Sequence, residues 1–155
     1  MAFTYQTFLK RGIDLAPLGW ETEGAFIPYF CTPRGAKVLG WAGVDGIHYC
    51  TIRGFGEMIF AVSLMNIGDY VHPIARNFED LLRLLLSCTD MAALEQCYAW
   101  DEEQYKAFLM DYPATPEQQA VLDAIRAKTN LEPMEDAFHY VKQLQASFDL
   151  SAIPY

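Results

Sequence analysis

Ala36-Lys37-Val38-Leu39-Gly40-Trp41-Ala42-Gly43-Val44-Asp45-Gly46-Ile47-His48-Tyr49-Cys50-Thr51-Ile52-Arg53 is the stretch that decides the fold. Two runs rich in β-branched and aromatic residues, 36–42 and 47–53, flank Gly43-Val44-Asp45-Gly46. The Asp-Gly pair supplies the positive φ that a short hairpin loop requires, so the two runs should pair antiparallel. Downstream, Gly54-Phe55-Gly56 makes a second turn into a third run, Glu57 to Leu64. A short further strand is predicted at Asp69 to Val71. An earlier one is predicted at Phe26 to Cys31, where Pro28 restricts it to a sheet edge.

The texture changes after residue 75. Residues 76–149 contain no glycine and follow helical spacing. Asn77 is a suitable N-cap for a helix over Phe78 to Leu86, whose Phe78, Leu81, Leu82 and Leu85 recur at i, i+3, i+4 and i+7. Glu79 and Arg83 are spaced as an i, i+4 pair on its polar side. Further helices are predicted from about Met91 to Tyr98, from Asp101 with Gln104 at the capping-box position, and from Thr115-Pro116-Glu117-Gln118. A last helix should bury Phe138, Val141, Leu144 and Phe148. Strands first and helices afterwards is the order of an α+β fold: a mainly antiparallel sheet in the N-terminal half, packed against helices, with a helical C-terminal half.

A chain of 155 residues with 52% apolar and 14% aromatic content is the size and composition of one domain able to bury a sizeable core. No apolar run approaches the ~20 residues that cross a bilayer, because Arg83 interrupts the longest candidate, Leu81 to Leu86. Met1-Ala2-Phe3-Thr4-Tyr5-Gln6 lacks a basic segment followed by an apolar one, so the expected compartment is the cytoplasm. Cys31, Cys50, Cys88 and Cys97 form no CxxC pair and are expected to be reduced and buried.

Chemistry-bearing patterns are sparse. His48-x-Cys50 with Cys31 and His72 supplies zinc-type donors, but without the close paired spacing of structural zinc sites. The same residues could be read as a Cys-His nucleophile and base. Side chains at i and i+2 of one strand lie ~6–7 Å apart, too far for a direct hydrogen bond. The glycine turns match neither phosphate-binding pattern. Asp101, Glu102 and Glu103 complement a helix dipole. No catalytic residue, cofactor or metal is expected.

The net charge of −9 is unevenly placed: residues 76–155 carry 6 basic and 14 acidic side chains, against 5 and 6 in residues 1–75. Such a field repels nucleic acid and anionic membranes and favours a basic protein partner. Asp101, Glu102, Glu103, Asp111 and Glu117, with Tyr112 as an aromatic anchor, are the candidate partner-binding residues. Trp20, Trp41, Phe55 and Tyr155 are further aromatic candidates. Oligomeric state stays open.

Val38-Leu39-Gly40-Trp41, the hairpin around Asp45-Gly46, and Ile74-Ala75-Arg76-Asn77-Phe78-Glu79-Asp80-Leu81-Leu82 together resemble the SUKH superfamily, the group that includes yeast cell-wall glucan synthesis regulators. The resemblance covers about residues 25–90, with an acidic helical extension over about 91–155. It implies a central, mainly antiparallel sheet flanked by helices, no enzymatic activity and, in bacteria, a common role as immunity proteins that bind toxin domains. The expected function is therefore a non-catalytic protein-binding module, toxin-neutralising or regulatory. The alternatives are a structural subunit of an assembly, or a small Cys/His enzyme or metal protein.

Overall fold

The computed structural model describes residues 4–154, so Tyr155 and the first three residues lie outside the description. The hairpin forms as its turn residues require. β1 (Ala36–Trp41) and β2 (His48–Ile52) pair antiparallel, and Asp45 and Gly46 both take positive φ, 54° and 69°. β3 (Ile59–Val62) and β4 (Val71–Ala75) complete a four-stranded antiparallel sheet in the order β1-β2-β3-β4.

Every residue of β3 and β4 is buried, because the sheet is covered on both faces. Period-2 alternation divides the side chains. Tyr49, Ile59, Ala61 and Ile74 join the core under the helices, while Cys50, Ile52, Phe60, Val62 and Val71 join a second core on the outer face. The outer core is closed by Cys31, Phe55, Phe148 and Ile153, and the C-terminal segment is tied there to the residues before β1 by Arg34 N–H donating to the Pro154 carbonyl at 2.8 Å.

The helical half follows its local signals. After a short α1 (Tyr5–Leu9), α2 (Phe78–Cys88) is capped by Asn77, whose side chain accepts from Asp80 N–H, and it buries Phe78, Leu81, Leu82, Leu84 and Leu85. α3 (Met91–Gln96) ends in a 3-10 turn over Cys97–Ala99. α4 (Glu102–Asp111) and α5 (Pro116–Thr129) both begin with complete capping boxes, Asp101 with Gln104 and Thr115 with Gln118. α5 stops at Asn130 in the left-handed region, and α6 (Ala137–Ser147) buries Phe138, Val141 and Leu144.

Four details depart from the sequence reading. Residues 25–30 form no strand. The outward edge of β1 is already bridged by Glu21, which exchanges both backbone hydrogen bonds with Trp41 at 2.8 and 2.9 Å, so the segment crosses the outer face as an irregular strap. The fourth strand begins only at Val71 and runs through Pro73. Proline is tolerated because β4 is an edge, where no ladder donor is needed on the outer side. α6 packs along that edge, and Gln145 Nε2 donates to the Pro73 carbonyl. Phe148 lies past the end of α6 and is half-buried against Phe55 and Phe60 on the opposite face from the rest of that helix's apolar residues. Arg83 gives its Nε–H to the Glu132 carbonyl, and no Glu79–Arg83 ion pair occurs among the described residues.

Candidate docking surface

In a meander, the first and third turns lie at one end of the sheet and the second at the other. The β1–β2 turn (43–46) and the β3–β4 connection (63–70) therefore share an end, and the strap 25–31 meets them there. Tyr29 stacks on His48 at 5.7 Å between ring centroids, and Phe30 meets the Tyr70 ring edge-on at 5.3 Å. The approach is close: a Cβ added at Gly46 would stand 3.2 Å from Tyr29 Cζ and 3.0 Å from Leu64 Cδ1.

His48 anchors the junction. It is fully buried, its Nδ1–H donates to the Gly46 carbonyl at 2.8 Å, and its Nε2 accepts from the Thr32 hydroxyl at 3.0 Å. This arrangement suits the neutral ring, and burial lowers the His48 pKa accordingly. Phe26 packs on the same imidazole at 4.6 Å and on Trp41 at 5.8 Å, close to parallel.

The outward faces of these three segments are apolar. Ile27, Phe30, Val44, Met65 and Ile67 are 79%, 74%, 63%, 68% and 86% exposed, with Tyr29 exposed beside them. Only Leu9, Met110 and Tyr112 are large apolar side chains of comparable exposure elsewhere among the described residues. Scattered apolar residues are ordinary on a protein surface, whereas a gathered group rimmed by polar residues marks an interaction site. Between strap and hairpin lies a cleft of about 640 Å³, walled by Phe26, Tyr29, Trp41 and Ile47 and floored at its rim by Gly43 and Asp45.

The acidic residues singled out from sequence are distributed differently. Asp101, Glu102 and Glu103 cluster at the N-terminus of α4, while Asp111 ends the helix and Tyr112 is its C-cap. At ~1.5 Å rise per residue the two groups are separated by roughly 12 Å along the axis. Tyr112 is exposed but leans on Phe108, which leans on Trp100. Glu117 opens α5 and faces a crevice with Ile13, Asp14 and Lys128. Among the other aromatic candidates, Trp20 is core at 2% exposure, Phe55 is half-buried in the outer core, and Trp41 lines the cleft.

Glu102 also takes part in a contact that sequence reasoning missed. His139 Nδ1 meets both Asp136 carboxylate oxygens at 2.7–2.8 Å, and its Nε2 lies 3.4 Å from Glu102, which also pairs with Lys106 at 3.5 Å. The imidazole thus bridges the starts of α4 and α6. Glu102, Asp136 and His139 are also the residues, among those described, whose donor atoms gather within 4.8 Å as a metal site would need. Both ring nitrogens already face carboxylates, which accounts for the cluster as an exposed staple between two helix starts.

The Cys/His donors do not assemble. Cys31, Cys50 and His48 lie toward the outer face, whereas His72 sits on the helix-covered side with its ring stacked on Tyr98 at 3.5 Å. All four cysteines are buried and unpaired. Burial pushes the Cys50 thiol up to about 12 and Cys97 up to about 11, and raises Cys31 and Cys88 as well. Thiols so held are protonated at neutral pH and are poor nucleophiles. No helix among the described residues is long and apolar enough to cross a membrane. Compared with family models, curated proteins and solved structures, the chain matches none.

Proposed function

We propose that this chain is a non-catalytic protein-binding module that docks a basic protein partner through the apolar end of its sheet. The observation that carries this reading is the gathering of Ile27, Phe30, Val44, Met65 and Ile67, all largely exposed, on three chain segments that meet at one end. Their exposure costs solubility without serving the fold, and partner burial is the physical use for such a surface. Asp45 is the one charged residue lining the cleft among the described residues, and the chain as a whole carries −9, so a cationic partner is favoured. The acidic starts of α4 and α5 supply a long-range field that speeds encounter, while the apolar end supplies the contact. The resemblance to the SUKH superfamily points the same way: a cationic toxin or nuclease domain is a partner of this chemistry.

The test uses two surface variants, Ile27→Ser/Phe30→Ser/Ile67→Ser and Glu102→Lys/Glu103→Lys/Asp111→Lys, each checked by circular dichroism. A partner captured by the wild-type chain and identified by mass spectrometry is purified and rebound to all three. The first variant should abolish the complex. The second should slow association at low salt and converge on wild type as the Debye length shortens from ~10 Å at 0.1 M toward ~3 Å at 1 M. Undiminished binding by the apolar-end variant refutes the assignment.

A further inference from the structure

Building on the docking reading, we propose that the cleft between the strap 25–29 and the β1–β2 turn receives an arginine side chain of the partner. Its lining is aromatic: Trp41 and Phe26 stack on each other at 5.8 Å and 24°, and Tyr29 packs on Phe26 at 5.9 Å. Trp41 and Phe26 are each only partly buried, so ring surface remains open to an occupant. Trp is the strongest of the aromatic rings at attracting a cation placed over its face.

The charge at the rim has one sign. Among the described residues, no lysine, arginine or histidine lines the cleft, and Asp45 does. Glu21, which lines the neighbouring crevice with Trp20 and Glu23, lies against Gly43 so tightly that a Cβ at that position would overlap its Oε2, and the left-handed φ of 84° independently demands glycine there. Aromatic walls and a carboxylate rim select a cation with an apolar stem, and the volume of about 640 Å³ admits a long side chain with its flanking backbone. Of the two basic side chains, guanidinium fits better: it is planar, stacks on aromatic faces, sheds water more readily than an ammonium, and can pair with a carboxylate through two parallel donors.

The experiment titrates the isotopically labelled full chain with N-acetyl-arginine methylamide and follows amide and indole resonances. Saturable shifts should centre on the Trp41 indole and residues 43–47. N-acetyl-citrulline methylamide, its uncharged isostere, should bind several-fold more weakly. Asp45→Asn should weaken arginine binding about three- to five-fold, the loss of one exposed charge contact. Asparagine accepts the left-handed backbone at this position, so the fold should survive. Asp123→Asn, an exposed control on α5, should leave binding unchanged. Equal binding of citrulline, shifts centred on the acidic turn of α4, or no saturable shift would overturn the proposal. If the titration fails while Ile27→Ser/Phe30→Ser/Ile67→Ser still abolishes the partner complex, the docking surface stands and only its occupant falls. If arginine binds but that variant keeps the partner, the cleft stands and the docking surface falls.

Discussion

Gly40→Ala adds one methyl group in the middle of β1, and the structure says where it would go. A Cβ there would stand 2.5 Å from Trp20 Nε1, 2.7 Å from Cε2 and 2.8 Å from Cδ1. Unstrained carbon contacts lie at about 3.5–4.0 Å, so the indole would have to retreat by about 1 Å. It has nowhere to go. Trp20 is 2% exposed, stacked on Tyr49 at 5.0 Å and 10°, and edged by Phe78 at 5.9 Å and Tyr5 at 6.1 Å. The φ of Gly40 is not positive, so the backbone accepts alanine and the whole cost is overpacking. Such insertions cost about 1–3 kcal/mol, which for a domain of this size lowers Tm by roughly 3–10 °C. Urea unfolding followed by far-UV circular dichroism and tryptophan fluorescence reads it directly. In a Trp20→Phe background, which removes the Nε1 and Cε2 contacts, the added cost of Gly40→Ala should shrink. A denaturation midpoint for Gly40→Ala equal to that of wild type would refute the packing of Trp20 against β1.

Other outcomes follow from the same structure. Leu82→Ala, at a fully buried position of α2, should cost about 2–5 kcal/mol in urea unfolding. Ile27→Ser, Phe30→Ser and Ile67→Ser, at exposed positions, should each change stability by less than about 0.5 kcal/mol. Burial lowers the pKa of both His48 and His72, so the unfolded chain takes up protons first. Stability should therefore be full above about pH 6.5 and fall as the pH drops through the lowered values; a Tm that stays flat or rises from pH 7.5 to 5.5 contradicts this. Burial raises Asp90 and Glu95, whose uptake of protons at lower pH works in the opposite direction. A thiol reagent should react slowly with the native chain and titrate four thiols in denaturant, since all four cysteines are buried and unpaired.

What could be read from the sequence was local. Asn77, Asp101 with Gln104, and Thr115 with Gln118 announce helix starts because cap and partner lie within three residues of each other. The hairpin was legible for the same reason, through Asp45-Gly46. Residues 26–31 looked like a strand because alternation cannot reveal that Glu21 already occupies the edge of β1. The start of α6 carried no readable signal: Asp136 takes a left-handed conformation and turns its carboxylate to His139 instead of capping. Of the docking surface, Trp41 was visible as a candidate aromatic. The rest was hidden, because Ile27, Phe30, Val44, Met65 and Ile67 come from three separated segments and each resembles a core residue until the fold leaves it outside.

The most direct test is the dissociation constant of the purified partner for the wild-type chain and for Ile27→Ser/Phe30→Ser/Ile67→Ser, measured side by side at physiological salt. The account predicts a folded variant, with an unchanged unfolding midpoint, whose affinity is lost. A folded variant that binds as tightly as wild type would place the docking face elsewhere and contradict it.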